Sequence, residues 1–309
     1  MAAPAFRGEA LGADKEYVQS LSRYIMGVYC EDLGDIDRAI REYQQAIKGD
    51  PASSLLHLSL ASAFIKKNDA ASAISQLNEA AGLAPEAVEP HAVLALVYAS
   101  QNKQELAGQE YELALKNASK LEPGNIEIYK SLGLIYLQCK KLKEAESIFK
   151  LITGMAPADA EAHFYLASVY YETKDYGPAE KELKAALKLK PDYHEALNFL
   201  GYFYLEQDRN IDKAGSMIRK ALSFDPENGA YIDSLGWFYF KKGKFKDALG
   251  QLEKAASLLS DPEIYDHLGD VYLKLGNRGD ARLNWEKSLK LEADQEKVKQ
   301  KLFKLTNGK

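Results

Sequence analysis

An all-α fold is expected, a solenoid of eight helical hairpins followed by a C-terminal capping helix, because several residue columns recur along the chain at a nearly constant period. Small residues stand at Gly27, Ala61, Ala95, Gly133, Ala167, Gly201, Gly236 and Gly269, separated by 34, 34, 38, 34, 34, 35 and 33 positions. Each follows a leucine, or Met26 in the first repeat. Three positions after each comes Cys30, Phe64, Tyr98, Tyr136, Tyr170, Tyr204, Tyr239 or Tyr272, and alanine fills a further column at Ala39, Ala73, Ala107, Ala145, Ala179, Ala214, Ala248 and Ala281.

Each unit reads as two amphipathic helices. Apolar residues recur at helical spacing, as in Leu132, Ile135 and Tyr136, then Ala145, Ile148, Phe149 and Ile152, with a polar turn between the two sets. The small residue marks where the helices of a hairpin cross, since a larger side chain would force them beyond the usual separation of about 8–10 Å. Tyr43, Leu77, Tyr111, Phe149, Leu183, Ile218, Leu252 and Trp285 form a column of large apolar residues that fill the space between neighbours. Pro51, Pro85, Pro123, Pro157, Pro191 and Pro226 close most repeats, because proline cannot continue a helix. Four extra residues within 116–122, one near Arg209 and Asn210, and one deletion in the seventh repeat fall in turns or at helix ends, where length changes are tolerated.

The solenoid is expected to span residues 17–293. Residues 1–16 read as a flexible segment, and 294–309 as a capping helix and tail with Val298, Leu302 and Leu305 on one face. A cap is needed because a hairpin buries its apolar stripe only against a neighbour.

Composition narrows the function. Forty basic residues are interleaved with 45 acidic ones for a net charge of -5, so the clustered Lys and Arg of a nucleic-acid binder are not offered. No apolar run reaches the length of a transmembrane helix, and residues 1–16 lack the apolar stretch of a signal peptide. Cys30 and Cys139 stand far apart with no CxxC, and no phosphate-loop, dinucleotide, serine-hydrolase or zinc-protease motif occurs. His57, His91 and His163 share one column, and stacked repeats hold such positions about 10 Å apart, too far for one metal ion. No cofactor, metal or catalysis is expected.

The columns resemble the tetratricopeptide repeat pattern, L-G-x2-Y followed by A-x3-F and then P, over residues 20 to about 293. That resemblance implies a right-handed superhelix whose first helices line a concave groove that holds other proteins. Carried over by position, it puts Phe164, Tyr165, Tyr171, Asn198, Phe199, Tyr202, Asp233, Trp237, Phe240, Asp266 and Asp270 in the groove as candidate partner-binding residues. Aromatic side chains are enriched in interface cores, with packing between adjacent first helices as the alternative, and the three aspartates read first as solvated surface charge and second as an attraction for a basic partner. The paired Lys and Asn with which some family members clamp chaperone C-termini are missing, since the slots hold Lys130 with Leu134, Phe164 with Ser168, and Asn198 with Tyr202.

The stretch from Leu197 to Tyr202, the run Asp225-Pro226-Glu227-Asn228-Gly229-Ala230-Tyr231-Ile232-Asp233-Ser234-Leu235-Gly236-Trp237 and the segment from Asp261 to Asp270 also look like bacterial envelope lipoproteins of this family that act as adaptors. This implies a periplasmic or envelope location if a leader has been removed, and a cytoplasmic one otherwise. The expected function is therefore a non-catalytic scaffold for a protein or peptide ligand, and the alternative is a self-assembling structural protein that forms homo-oligomers.

Overall fold

The computed structural model describes the backbone of residues 5–307 and the side chains of residues 15–306. Among the described residues there are seventeen α-helices and no strand. They form two compact units, Met1–Ile148 and Phe149–Lys309.

The first unit contains α1 (Ala5–Asp32) with α2 (Ile36–Gly49), α3 (Ser54–Lys66) with α4 (Ala70–Leu83), α5 (Glu89–Ser100) with α6 (Gln104–Leu121), α7 (Ile126–Gln138), and the start of α8 (Leu142–Met155). The second contains the end of α8, then α9 (Ala160–Glu172) with α10 (Tyr176–Leu189), α11 (His194–Glu206) with α12 (Ile211–Phe224), α13 (Gly229–Lys241) with α14 (Phe245–Leu258), α15 (Pro262–Lys274) with α16 (Arg278–Leu291), and α17 (Glu296–Asn307). Each named pair packs as a hairpin, and within each unit the second helix of one hairpin packs on the first helix of the next.

The columns have direct physical counterparts. A Cβ added at Gly236 would lie 2.7 Å from Leu252 Cγ, and one at Gly201 would lie 2.8 Å from Ile218 Cγ1, so the crossing points are in contact. The alanine column is buried in every repeat, fully at Ala39, Ala73, Ala145, Ala179, Ala214, Ala248 and Ala281. The four additional residues of the third repeat lengthen α6 to 18 residues, where the other second helices have 14. The helical backbone of α1 reaches back to Ala5, into the segment 1–16 that carries no repeat columns.

A further column sits in the turns. Gly34, Asn68, Asn102, Lys140, Lys174, Asp208, Gly243 and Gly276 all have positive φ, between 48° and 82°. The amide of the residue after each donates to the carbonyl of the aromatic column, for example Asp69 N to Phe64 O at 2.9 Å and Lys244 N to Tyr239 O at 2.9 Å. This left-handed helix ending turns the chain into its second helix by the same geometry in all eight repeats.

In the second unit the C-terminal end is covered by α17, whose Val298, Leu302 and Leu305 pack with Ala281 and Trp285. Lys301 of the same helix donates to Asp266 (2.7 Å) and to Asp270 (2.8 Å).

Candidate functional site

The first helices α11, α13 and α15 touch one another side by side, and aromatic contacts extend the row to α9. Phe164 meets Phe199 edge to face at 6.0 Å, and Tyr171 meets the same ring at 5.2 Å. The resulting wall carries two concavities that share Tyr202 and Glu263.

The first concavity, about 350 Å³, is lined by Phe164, Asn198, Phe199, Tyr202 and Asp233 of the expected set, together with Ser168, Glu195, Asp261, Glu263 and Ile264, among others. The second, about 480 Å³, lies between α11, α13, α15 and α17 and includes Tyr202, Trp237, Asp266 and Asp270 of the expected set. Tyr165, Tyr171 and Phe240 line neither. Tyr165 stacks on Phe149 (5.3 Å), Tyr171 packs on Phe199 and Phe203, and Phe240 stacks on Trp237 (4.5 Å).

Several expected contact residues have partners within the chain. Trp237 is buried, with its indole sandwiched between Phe240 and the His267 ring (4.0 Å) and its Nε1 donating to Glu206 at 2.8 Å. It acts as a pillar of the wall. Asp233 is buried and accepts a 2.9 Å hydrogen bond from His267 Nδ1, and Asp266 and Asp270 are held by Lys301. The acidic residues therefore differ in availability: these three are satisfied internally.

His267 is the electrostatic centre of the wall. Burial opposes its charge, but the Asp233 carboxylate, through its charge and its hydrogen bond, and then Glu263 and Asp266 hold its pKa up to about 9. Its Nε2 lies 3.5 Å from the Tyr202 hydroxyl, which in turn donates to Glu263. Burial raises the Tyr202 pKa well above the usual phenol value, with Glu263 and Glu206 adding to the effect. At Glu263 the surrounding packing raises the pKa, His267 and the Tyr202 hydrogen bond oppose the rise, and Asp233 and Asp261 reinforce it.

Asn198 is the one expected polar residue left with an unmet need. Its Oδ1 is buried without a hydrogen-bond partner, in a residue that lines the first concavity, and a buried unsatisfied acceptor costs about 1–3 kcal/mol. Glu195, Asp261 and Glu263 were not anticipated. They lie at or beside the starts of α11 and α15, where acidic residues ordinarily serve the helix terminus, and so carry no distinct sequence signal.

The histidine column has a structural role. His57, His91 and His163 each bond through Nδ1 to the residue nineteen positions later, Gln76 (2.8 Å), Glu110 (2.7 Å) and Glu182 (2.6 Å), tying together the helices of one hairpin. Among the described residues no group of three or more His, Cys, Asp or Glu is arranged to hold a metal ion. Among them, too, no helix is long and apolar enough to cross a membrane.

Comparison with known proteins agrees with the architecture. Tetratricopeptide repeat models match residues 26–88 and 58–122, then 126–159 and 194–228, and 160–193. A tetratricopeptide repeat protein from Parabacteroides merdae superposes with a TM-score of 0.63 at 19% identity, covering 82% of this chain and 99% of that one. The Cut9-Hcn1 structure gives a TM-score of 0.59 at 16% identity, with 93% and 69% covered. Among curated proteins, the BBSome complex member BBS4 homolog of Drosophila melanogaster is 24% identical over 179 residues, 55% of this chain and 36% of the relative. The type IV pilus assembly protein PilF of Pseudomonas aeruginosa is 21% identical over 166 residues, 43% of this chain and 66% of the relative. The chain thus spans about a third of the first relative's length and just under two thirds of the second's. With repeat models matched from residue 26 to 228 and the same hairpin geometry continuing through α16, the chain belongs to the tetratricopeptide repeat family.

Proposed function

We propose that the chain is a non-catalytic scaffold that binds a segment of another protein on the first-helix wall of its second unit. The observation that carries this reading is the first concavity, where the half-buried rings of Phe164, Phe199 and Tyr202 border an Asn198 amide with an unsatisfied oxygen. Rigid aromatic faces lose little entropy on binding, and an orphan amide rewards a polar group brought in by a ligand. The relatives support the reading in general terms, since one is named as a member of a protein complex and the other for pilus assembly. The envelope adaptor reading rests on the second of these and on the sequence resemblance.

The test is selection of a random twelve-residue peptide library on the whole chain, followed by fluorescence anisotropy of the selected peptides. Asn198→Ala and Phe199→Ala are each expected to weaken binding about tenfold, with helicity unchanged by circular dichroism. Selection of no peptide, or affinity in both folded variants unchanged from that of the unaltered chain, contradicts the assignment.

Self-assembly has its own supporting observation at the other end of the chain. On α1, Val18, Ile25 and Tyr29 are 63%, 59% and 59% exposed and recur at spacings that share one helix face. On this reading a second copy covers that stripe. Ile25→Lys with Tyr29→Lys then returns a concentration-dependent oligomer to monomer, and light scattering that shows a monomer at every concentration of the unaltered chain rules it out.

A further inference from the structure

The first concavity has an unusual charge balance. Four carboxylates, those of Glu195, Asp233, Asp261 and Glu263, line about 350 Å³, and no Lys, Arg or His stands among the lining residues. Two of the four are accounted for. Asp233 is paired with His267 behind the wall, and Asp261 caps α15 by accepting from Glu263 N at 2.8 Å. Glu195 lies 3.3 Å from His194. Glu263 has the Tyr202 hydroxyl as its hydrogen-bond donor, and its charge is acted on by His267 behind the wall as well as by Asp233 and Asp261.

The surrounding groups complement a cation. The rings of Phe164, Phe199 and Tyr202 supply apolar and π faces on which a guanidinium stacks. Asn198, whose buried Oδ1 has no hydrogen-bond partner, is a second, independent polar residue lining the same concavity. Arginine brings five donors in a planar fork, enough for a carboxylate and an amide oxygen at once, whereas a lysine ammonium is a compact point charge with no face to stack.

We propose that this concavity seats an arginine side chain of the bound protein segment, with its guanidinium between the Glu263 carboxylate and the Asn198 amide and its plane against the aromatic rings. The partner class is therefore a basic, arginine-bearing peptide segment, a narrowing that rests on the scaffold reading above. Burial and the acidic neighbours raise the proton affinity of Glu263 against the opposing pull of His267 and the Tyr202 hydrogen bond, and a bound cation adds to that pull.

The experiment uses the same peptide selection on the whole chain. Selected sequences are expected to be enriched in arginine. In a synthetic peptide from that set, replacing the key arginine by citrulline, which keeps the shape and removes the charge, is expected to weaken binding about tenfold on the unaltered chain. On Glu263→Gln, whose side chain still accepts from Tyr202, the same replacement is expected to matter less than about twofold. Rising salt should narrow the arginine-to-citrulline difference on the unaltered chain. Peptides that lose affinity with Phe199→Ala yet show no arginine enrichment, or that bind equally as citrulline analogues, overturn the arginine seat and leave the scaffold reading standing. Enrichment of lysine in place of arginine also overturns it, because the planar contacts would then be unused. Selection of no peptide overturns both.

Discussion

Gly269 and Trp285 provide a quantitative test of how the hairpins are packed. A Cβ at Gly269 would collide with Nε1 and Cδ1 of the Trp285 indole and lie 2.8 Å from its Cε2. The indole is 1% exposed and donates to Asp266 O at 3.2 Å, so it has no room to withdraw. Overpacking of this kind costs about 1–3 kcal/mol, here near the upper end because the obstacle is a rigid ring, while alanine regains about 1 kcal/mol of helix propensity. Gly269→Ala should therefore cost about 2 kcal/mol. Trp285→Leu alone opens a void and should cost about 2–3 kcal/mol. The double variant recreates the pairs Ala61 with Leu77 and Ala167 with Leu183, which are fully buried elsewhere in the chain. It should cost about 2 kcal/mol in total, well below the sum of the single costs. Repeat arrays open locally, so amide hydrogen exchange within α15 and α16 is the appropriate assay, with urea unfolding followed by circular dichroism as a check. A neutral or stabilising Gly269→Ala, or costs that simply add, would refute the close-crossing argument.

Other predictions concern single contacts. Lys174 has φ 62° at the turn where three repeats use glycine; the left-handed conformation costs about 1–2 kcal/mol and glycine's extra entropy about 0.5–1. Lys174→Gly should thus stabilise by about 0.5–1 kcal/mol, and a lower melting temperature would contradict this. The folded-state pKa of His267 is held up to about 9 from an ordinary 6.5, so its pairing with Asp233 contributes fully below about pH 6.5 and fades as pH rises through about 9. The stability difference between the unaltered chain and His267→Gln should be a few kcal/mol near pH 6 and shrink towards pH 10; a difference constant across that range would contradict the pairing. Lys301→Met keeps the aliphatic stem but leaves Asp266 and Asp270 without their cation. It should cost about 1–3 kcal/mol and speed hydrogen exchange in α17, and unchanged exchange there would show that the cap does not depend on the pair.

The repeat could be read from sequence because its packing constraint recurs: Gly201, Gly236 and Gly269 stand where a helix crossing admits nothing larger, and Ala214, Ala248 and Ala281 are buried against the same crossing. The turn column was hidden because the constraint is on φ, which Gly34, Asn68, Lys140 and Asp208 satisfy with different side chains. The site was less legible for a different reason. Whether a first-helix residue is free depends on contacts with the next hairpin, and the stacking of His267 on Trp237, the His267–Asp233 pair and the hold of Lys301 on Asp266 link residues 30 to 35 positions apart. Periodicity shows that such residues share a face and cannot show that their side chains pair. Glu263 was missed because a glutamate in the first turn of α15 looks like any helix-start carboxylate.

The central claim, that the first-helix wall of the second unit binds a protein segment, is tested most directly by methyl nuclear magnetic resonance of the whole chain titrated with a selected peptide. The largest shifts are expected at Ala230 and Ile264, which line the first concavity, with little change at the outward Leu283 on α16 or at Val18 and Ile25 on α1. Shifts concentrated at Leu283 or on the α1 stripe, with Ala230 and Ile264 unmoved, would contradict it.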